Sequence, residues 1–332
     1  MLKSLISLMF LMSPGSGFAP RRMHNRPHGT AFSAPTSIEV IFEDDHLIAV
    51  QKPAGVVSMP CESASSGTAA HMVAEYILSS NLFEPVNTED VISHGIVHRL
   101  DKEVSGLLLL AKNKGVSKQL SQIFSKRSID KTYIAIVYGE FRDPSHRSLL
   151  PTSPPSSAPA SGPEVVLSWP LLRRSSGKCG VAETPAELKR AKPALTTVNV
   201  LVSNSTYSIL EVTIDTGRFH QIRAHLAHAG YPIVGDKEYS SSSRKTSSGA
   251  QLTTYSPSSS GGRQAGGRVN TFRRTMLHSF SMHLVHPMTG KDLALRCPLP
   301  LRDHMSLLAG EIVSRKKKQD VLWWLFDTPT VL

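Results

Sequence analysis

The chain has 332 residues, 40% hydrophobic, 19% charged and 6% aromatic, with 22 Gly, 22 Pro and a formal net charge of +11. That is long enough for one large domain or two small ones, and the composition excludes a collagen-like or wholly disordered chain. No apolar run approaches the roughly 20 residues of a transmembrane helix, and Cys61, Cys179 and Cys297 form no CxxC pair, which argues against a disulfide framework or a zinc site.

Residues 1–36 read as an address. Lys3 precedes a short apolar stretch, Leu5 to Met12, and then the small residues Gly15-Ser16-Gly17, the grammar of a signal peptide. The basic, acid-free run FAPRRMHNRPHG follows, with transit-peptide composition. A signal peptide joined to a transit peptide through Phe18-Ala19-Pro20 resembles the leaders of proteins entering plastids bounded by extra membranes. An organelle is therefore expected, the plastid favoured and the mitochondrion the alternative.

The body begins near Ser37. IEVIFEDDHLIAVQKPAG alternates apolar residues around Glu-Asp-Asp and predicts a hairpin closed by Pro53 and Gly55. A helix is expected over 68–80. GLLLLA (106–111) has strand length and no polar face, so it is expected to be buried on both sides. Residues 116–127 place Val116, Leu120, Ile123 and Phe124 on one helical face, and strand character returns at 131–138. Strands are then expected at 196–202, 207–214, 277–285 and 291–297, with a helix over 220–229. Two stretches interrupt this order. PTSPPSSAPASGP (151–163) is rich in Pro and Ser, and 240–270 is Ser- and Gly-rich and basic. Both are read as loop insertions, at about 142–190 and 240–272, in one domain spanning 37–312 and followed by a basic, aromatic tail at 313–332. Intermixed strands and helices with several hairpins predict an α+β fold with a largely antiparallel, mixed sheet.

The positive charge lies mostly in the soft segments. Residues 1–38 hold Lys3, Arg21, Arg22 and Arg26 with no acid, and 240–274 hold six cations with no acid. Without these and the Arg315–Lys318 run the rest stands at −3. Net charge is thus a weak argument for nucleic-acid binding by the folded part. The tail, SRKKKQDVLWWLF, suits either docking onto the domain or, less well, a membrane surface.

Two clusters carry chemistry. In HGIVHRLDKEVSGLLLLAKN (94–113) Asp101 stands beside Arg99 just before the buried strand, which suits a nucleophile or base that must stay ionised; a solvated turn is the plainer reading. In TGRFHQIRAHLAHAGYPIVGDKEY (216–239) a strand-to-helix junction with Arg218 and Arg223 suits a phosphate or a carboxylate. His225 and His228 share a helical face, but no Cys, Asp or Glu in that helix completes a metal set, so a structural role is expected for both.

HRLDKEVSGLLLLAK resembles the catalytic signature of the RluA-type pseudouridine synthases, and TGRFHQIRAHLAHAGYPIVGDKEY is similar to their second signature. The flanks EDDHLIAVQKPAGV, KTYIAIVYG, AKPALTTVNVL and LHSFSMHLVHPMTGKDLALRCPLP agree in order, so the resemblance covers 38–300 outside the two insertions. It implies the pseudouridine synthase catalytic fold around an RNA-binding cleft and the isomerisation of uridine in rRNA or tRNA. It implies Asp101 as the essential aspartate, Arg99 as the arginine that displaces the target base, Tyr133 as the tyrosine packing on the uracil, and Arg223 as the partner of the aspartate. The other motif residues, His98, Leu100, Arg218, His220, Gln221 and Ile222, are expected at the substrate, with Leu108 to Leu110 and Ile222 lining the apolar part of the pocket. Val104 and Phe219 stand where the family usually has Thr and Thr or Ser. The reaction imports no group, so neither metal nor cofactor is expected, and the partner is RNA alone, bound by a monomer with no stable membrane insertion. Only the leader precedes the resemblance, so RNA affinity is expected from the cleft, helped by the basic insertion and tail. An inactive RNA-binding relative, and a hydrolase using His220 with Asp101 or a metal on His225 and His228, remain as alternatives.

Overall fold

The computed structural model describes residues 37–80, 87–142, 164–240 and 274–299, together with Met305, Ala309, Leu325, Thr330 and Val331. The expected leader, residues 143–163 of the first insertion, nearly all of the second and most of the tail lie outside the described residues.

Turn chemistry fixes the first hairpin. Between β1 (Glu39–Glu43) and β2 (Leu47–Lys52), Asp44 Oδ1 accepts the N–H groups of His46 and Leu47 at 2.8 and 2.7 Å. Helix α1 (Ala69–Ser79) starts at Thr68, and α2 (Thr88–His94), absent from the sequence reading, starts at Asn87. Strand β3 (Ser105–Ala111) is buried throughout, followed by α3 (Lys114–Ser125), capped by Asn113, and β4 (Ile129–Tyr138). Strands β5 (Val165–Leu167), β6 (Leu171–Arg173) and β7 (Cys179–Val181), with the short helix α4 (Pro185–Leu188), come next. The hairpin of β8 (Thr196–Ser203) and β9 (Tyr207–Ile214) leads to α5 (Gln221–His228). Strands β10 (Leu277–Val285), β11 (Asp292–Arg296) and β12 (Thr330–Val331) end the described fold.

Ten strands form one sheet, whose main path runs β1-β2-β3-β10-β4-β9-β8-β5. Every pairing in it is antiparallel except β3 with β10, which joins only His278 to Ser105 and Ser279 to Gly106 before β11 takes over that edge of β10. The architecture is α+β, as expected. Alternation explains the apolar run: Leu108 and Leu110 pack with Ile48 and Val50 on one face, while Leu107 and Leu109 pack with Leu47, Ala49 and, from α3, Val116 and Leu120 on the other. Among the described residues no helix is long and apolar enough to cross a membrane.

The insertion expected at 142–190 needs correction. Strand β5 pairs with β8, Val165 opposite Val198, and the β6–β7 hairpin is tied to the main chain by two backbone bonds between Leu171 and Lys192. Trp169, Leu171, Cys179 and Val181 are buried. Residues 164–190 therefore belong to the fold.

Candidate active site

The loop between α2 and β3 carries Asp101, and its backbone is fastened from below. Ser58 Oγ donates to Leu100 O at 2.8 Å and accepts from Leu100 N at 3.1 Å, while Val104 N closes a turn on Asp101 O. Beneath it, fully buried Lys52 donates to the carbonyls of Val56 and Pro53 at 2.7 and 2.8 Å and reaches that of Lys102 at 3.3 Å. Burial, and after it the charge of Arg274, pushes the Lys52 amine down to about 7.

Helix α5 supplies the counter-ion. Arg223 Nη1 stands 2.9 Å from Asp101 Oδ2, joining groups 122 residues apart in the chain. Its Nε and Nη2 donate to the two oxygens of Asp236 at 2.7 and 3.0 Å, Nη2 also lies 3.2 Å from Glu238 Oε1, and the guanidinium sits 5.1 Å from the Tyr239 ring. Burial alone would lower the Arg223 pKa; the bonds and charges of Asp236, then Asp101, outweigh it and raise it. The Asp101 side chain is 27% exposed against 4% for Arg223 and 0% for Asp236, so of the two carboxylates hydrogen-bonded to Arg223 it is Asp101 that faces solvent.

His220 reaches the same carboxylate, with Nε2 3.3 Å from Asp101 Oδ2 and Nδ1 3.2 Å from Tyr239 Oη. It precedes α5 in the left-handed region (φ 52°, ψ 26°), a conformation that costs energy for a side chain with a Cβ and concentrates at functional sites. Burial lowers its pKa, against the pull of Asp101. From β4, Tyr133 faces the same space. Burial, and then the Asp101 charge, raises its phenol pKa despite a hydrogen bond with Ser279, so the ring stays neutral.

Together these groups line a cavity of about 100 Å³ walled by Arg99, Leu100, Asp101, Val104, Tyr133, Ile214, Gly217, Arg218, His220, Gln221, Ile222, Arg223 and Leu277. Most of the residues expected from the two signatures meet here. His98 does not: its ring stacks on Phe124 at 4.6 Å, its Nε2 accepts the Leu109 N–H at 3.0 Å, and burial pushes it down to about 3. Leu108 to Leu110 also lie away from the cavity, within the two cores; in the apolar wall Ile222 is joined by Leu100, Val104, Ile214 and Leu277. Gln221 touches the cavity, but its amide is engaged by Thr216, Arg218 N, Leu195 O and Thr196, which fixes the turn before α5. Arg218 is held at the rim by Pro193 O. His225 has both ring nitrogens occupied, by Thr196 Oγ1 and Trp169 O, which removes the metal pair with His228. Among the described residues no group of three His, Cys, Asp or Glu is placed to hold a metal ion. Asp236, Glu238 and Tyr239 stand in GDKEY, whose spacing alone marks no role for them; Ile214 and Leu277, at strand ends, carry no signal in the sequence.

The family model described as RNA pseudouridylate synthase matches residues 46–228, more than half the chain and both halves of this site. The chain belongs to that family. An RNA pseudouridine synthase of the RluA type is thus the frame for the geometry above. The ribosomal large subunit pseudouridine synthase D of Pseudomonas aeruginosa is 29% identical over 273 residues, 82% of this chain and 71% of that protein. An uncharacterized RNA pseudouridine synthase of Chlorobaculum parvum is 30% identical over 307 residues, 92% of this chain and 80% of its own. Among solved structures, human RNA pseudouridylate synthase domain containing 4 is similar, with a TM-score of 0.54 and 22% identity over 81% of this chain and 92% of that one. Human RNA pseudouridylate synthase domain containing 1 gives 0.52 and 19%, over 83% and 94%. At such identity the structures speak for the fold alone.

Proposed function

We propose that this pseudouridine synthase works on ribosomal RNA, with Asp101 as its reacting group, Arg223 as the fixed counter-ion and Tyr133 as the stacking face for the extruded uracil. One observation carries the assignment. Arg223 and His220 both hold Asp101 Oδ2, whereas Oδ1 takes no hydrogen bond from the described residues and is left for substrate. Isomerisation breaks N1–C1′, turns the uracil and joins C5 to C1′; the proton on C5 leaves and N1 gains one. Oδ1 acts either as the nucleophile at C1′ or as the base that removes a ribose proton, and both routes need a carboxylate oxygen free to meet the ribose. A neutral aromatic ring suits a base taken out of its stack.

Ribosomal RNA is favoured because relatives matching most of this chain are named for the ribosomal large subunit. The leader composition favours an organelle, the plastid first. Mapping pseudouridines in organellar and cytosolic ribosomal RNA, with wild-type protein, without it, and with Asp101→Asn, tests both points. Organellar sites that vanish without the protein and are not restored by the Asn variant are expected, with RNA binding by that variant retained. Restored modification by Asp101→Asn overturns the residue assignment; an unchanged ribosomal map overturns the substrate.

A further inference from the structure

The pocket accounts for one nucleotide, yet a base flipped from RNA leaves neighbours on either side that also lose stacking partners. Phe219 stands where one of them would lie. It falls between Arg218 and His220, both walls of the cavity, and is 39% exposed. Among the described residues the other exposed large hydrophobics, Leu78, Leu188, Val285 and Met288, are not aromatic. Single exposed apolar residues need no explanation in general, but this ring is mounted. His220 stacks on it with centroids 3.7 Å apart and planes 19° from parallel, and His220 is itself held by Asp101 and Tyr239. The left-handed backbone at His220 turns the chain at this point. Arg173, exposed on β6, places its guanidinium 5.0 Å from the centre of the Phe219 ring and pairs with no carboxylate among the described residues.

We infer that Phe219 and Arg173 form a second subsite, a stacking platform for an unpaired nucleobase next to the target uridine. The inference rests on the RNA-modifying reading of the neighbouring pocket. A phenyl ring stacks on any base face, and a guanidinium over it is free to move onto the phosphate of the nucleotide whose base takes its place. Both groups lie outside the reacting pocket, so the platform acts on which RNA is held rather than on the chemical step. The β6–β7 hairpin, which carries Arg173, thereby gains a purpose in substrate choice.

The test uses the full chain and a ribosomal RNA fragment centred on a uridine that the wild-type protein modifies, with two further fragments carrying an abasic nucleotide immediately before or after it. Wild-type turnover of the intact fragment checks the underlying reading on its own. For the platform, one of the two abasic positions is expected to raise the wild-type KM about tenfold. Phe219→Ala is expected to raise KM on the intact fragment by a similar factor and to show no further loss at that abasic position; Phe219→Trp restores the difference. Wild-type indifference to both abasic fragments overturns the inference, and so do losses from Phe219→Ala and the abasic nucleotide that multiply.

Discussion

Arg223 is held by three carboxylates of unequal standing, of which the half-exposed Glu238 shares Nη2 with Asp236. Asp236, with no exposed surface, takes two of its nitrogens and also accepts the N–H groups of Glu238 and Tyr239, so it is a fixed anchor; Asp101 takes the third nitrogen and keeps access to solvent. A buried pair broken on one side leaves an uncompensated charge and costs about 3–5 kcal/mol. Asp236→Ala leaves Arg223 with Asp101 and Glu238 but without its buried anchor, so it is expected to destabilise the fold by at most about that much, read from urea unfolding. Asp236→Asn keeps the shape and is expected to lower kcat more than it raises KM, because Arg223 loses its alignment on Asp101 while the pocket walls remain. Equal kcat for wild type and the Asn variant shows that Arg223 needs no anchor. Asp101, Tyr133 and Arg223 were legible as residue types inside recognisable motifs, and the structure brings them together. His98 was misassigned for a physical reason: it lies three residues before Asp101 in an irregular loop, where neither strand nor helix period says which way a side chain turns. Asp236 was visible in GDKEY, but pairing with an arginine 13 residues earlier is a tertiary fact.

The site depends on one unusual junction between elements. Strand β3 delivers the Asp101 loop and β4 delivers Tyr133, and β10 lies between them, parallel to β3 for two residues and antiparallel to β4. Gly106 makes that close approach possible. Its φ is +109°, and a Cβ there would lie on the carbonyl and amide of Ser279, backbone that cannot turn aside. Gly55 also has positive φ, +86°, but open space around it. Gly106→Ala is expected to cost more than about 3 kcal/mol, steric overlap and backbone strain together, whereas Gly55→Ala costs only the strain, about 1 kcal/mol. Urea midpoints of the two variants check this, and similar values for both sink the close-approach argument. The long strands and helices were readable because each offers several turns of period: 207–214 and 277–285 fall where expected. Strands β5, β6 and β7 have three residues each, too few for alternation to register, and they follow a Pro-rich stretch that reads as the start of a loop. Their place is set by pairing with β8 and by packing, which sequence order does not show.

At the scale of the whole molecule, three of the described histidines are structural members held without charge. His98 accepts from Leu109 N, His225 bridges Thr196 and Trp169 O, and His278 bridges Ser105 and Cys297 O. Burial is the largest cause in each, pushing His98 and His278 down to about 3 and His225 to about 4 from an ordinary 6.5. Folded pKa values below the unfolded one mean that the unfolded chain binds more protons once the pH drops under 6.5. The stabilisation is thus fully present above 6.5 and is lost progressively as pH falls toward 3–4. Each such proton changes stability by at most about 1.4 kcal/mol per pH unit. The urea midpoint is therefore expected to fall steadily between pH 6.5 and 4.5, before most carboxylates titrate. His225→Gln keeps a donor and an acceptor in that position but takes up no proton, so its stability should fall with a shallower slope, by at most about a third, since His220 with its lowered pKa adds to the same window. Identical slopes for the two proteins, or a flat wild-type midpoint over that window, would show that these rings are not kept neutral by the fold.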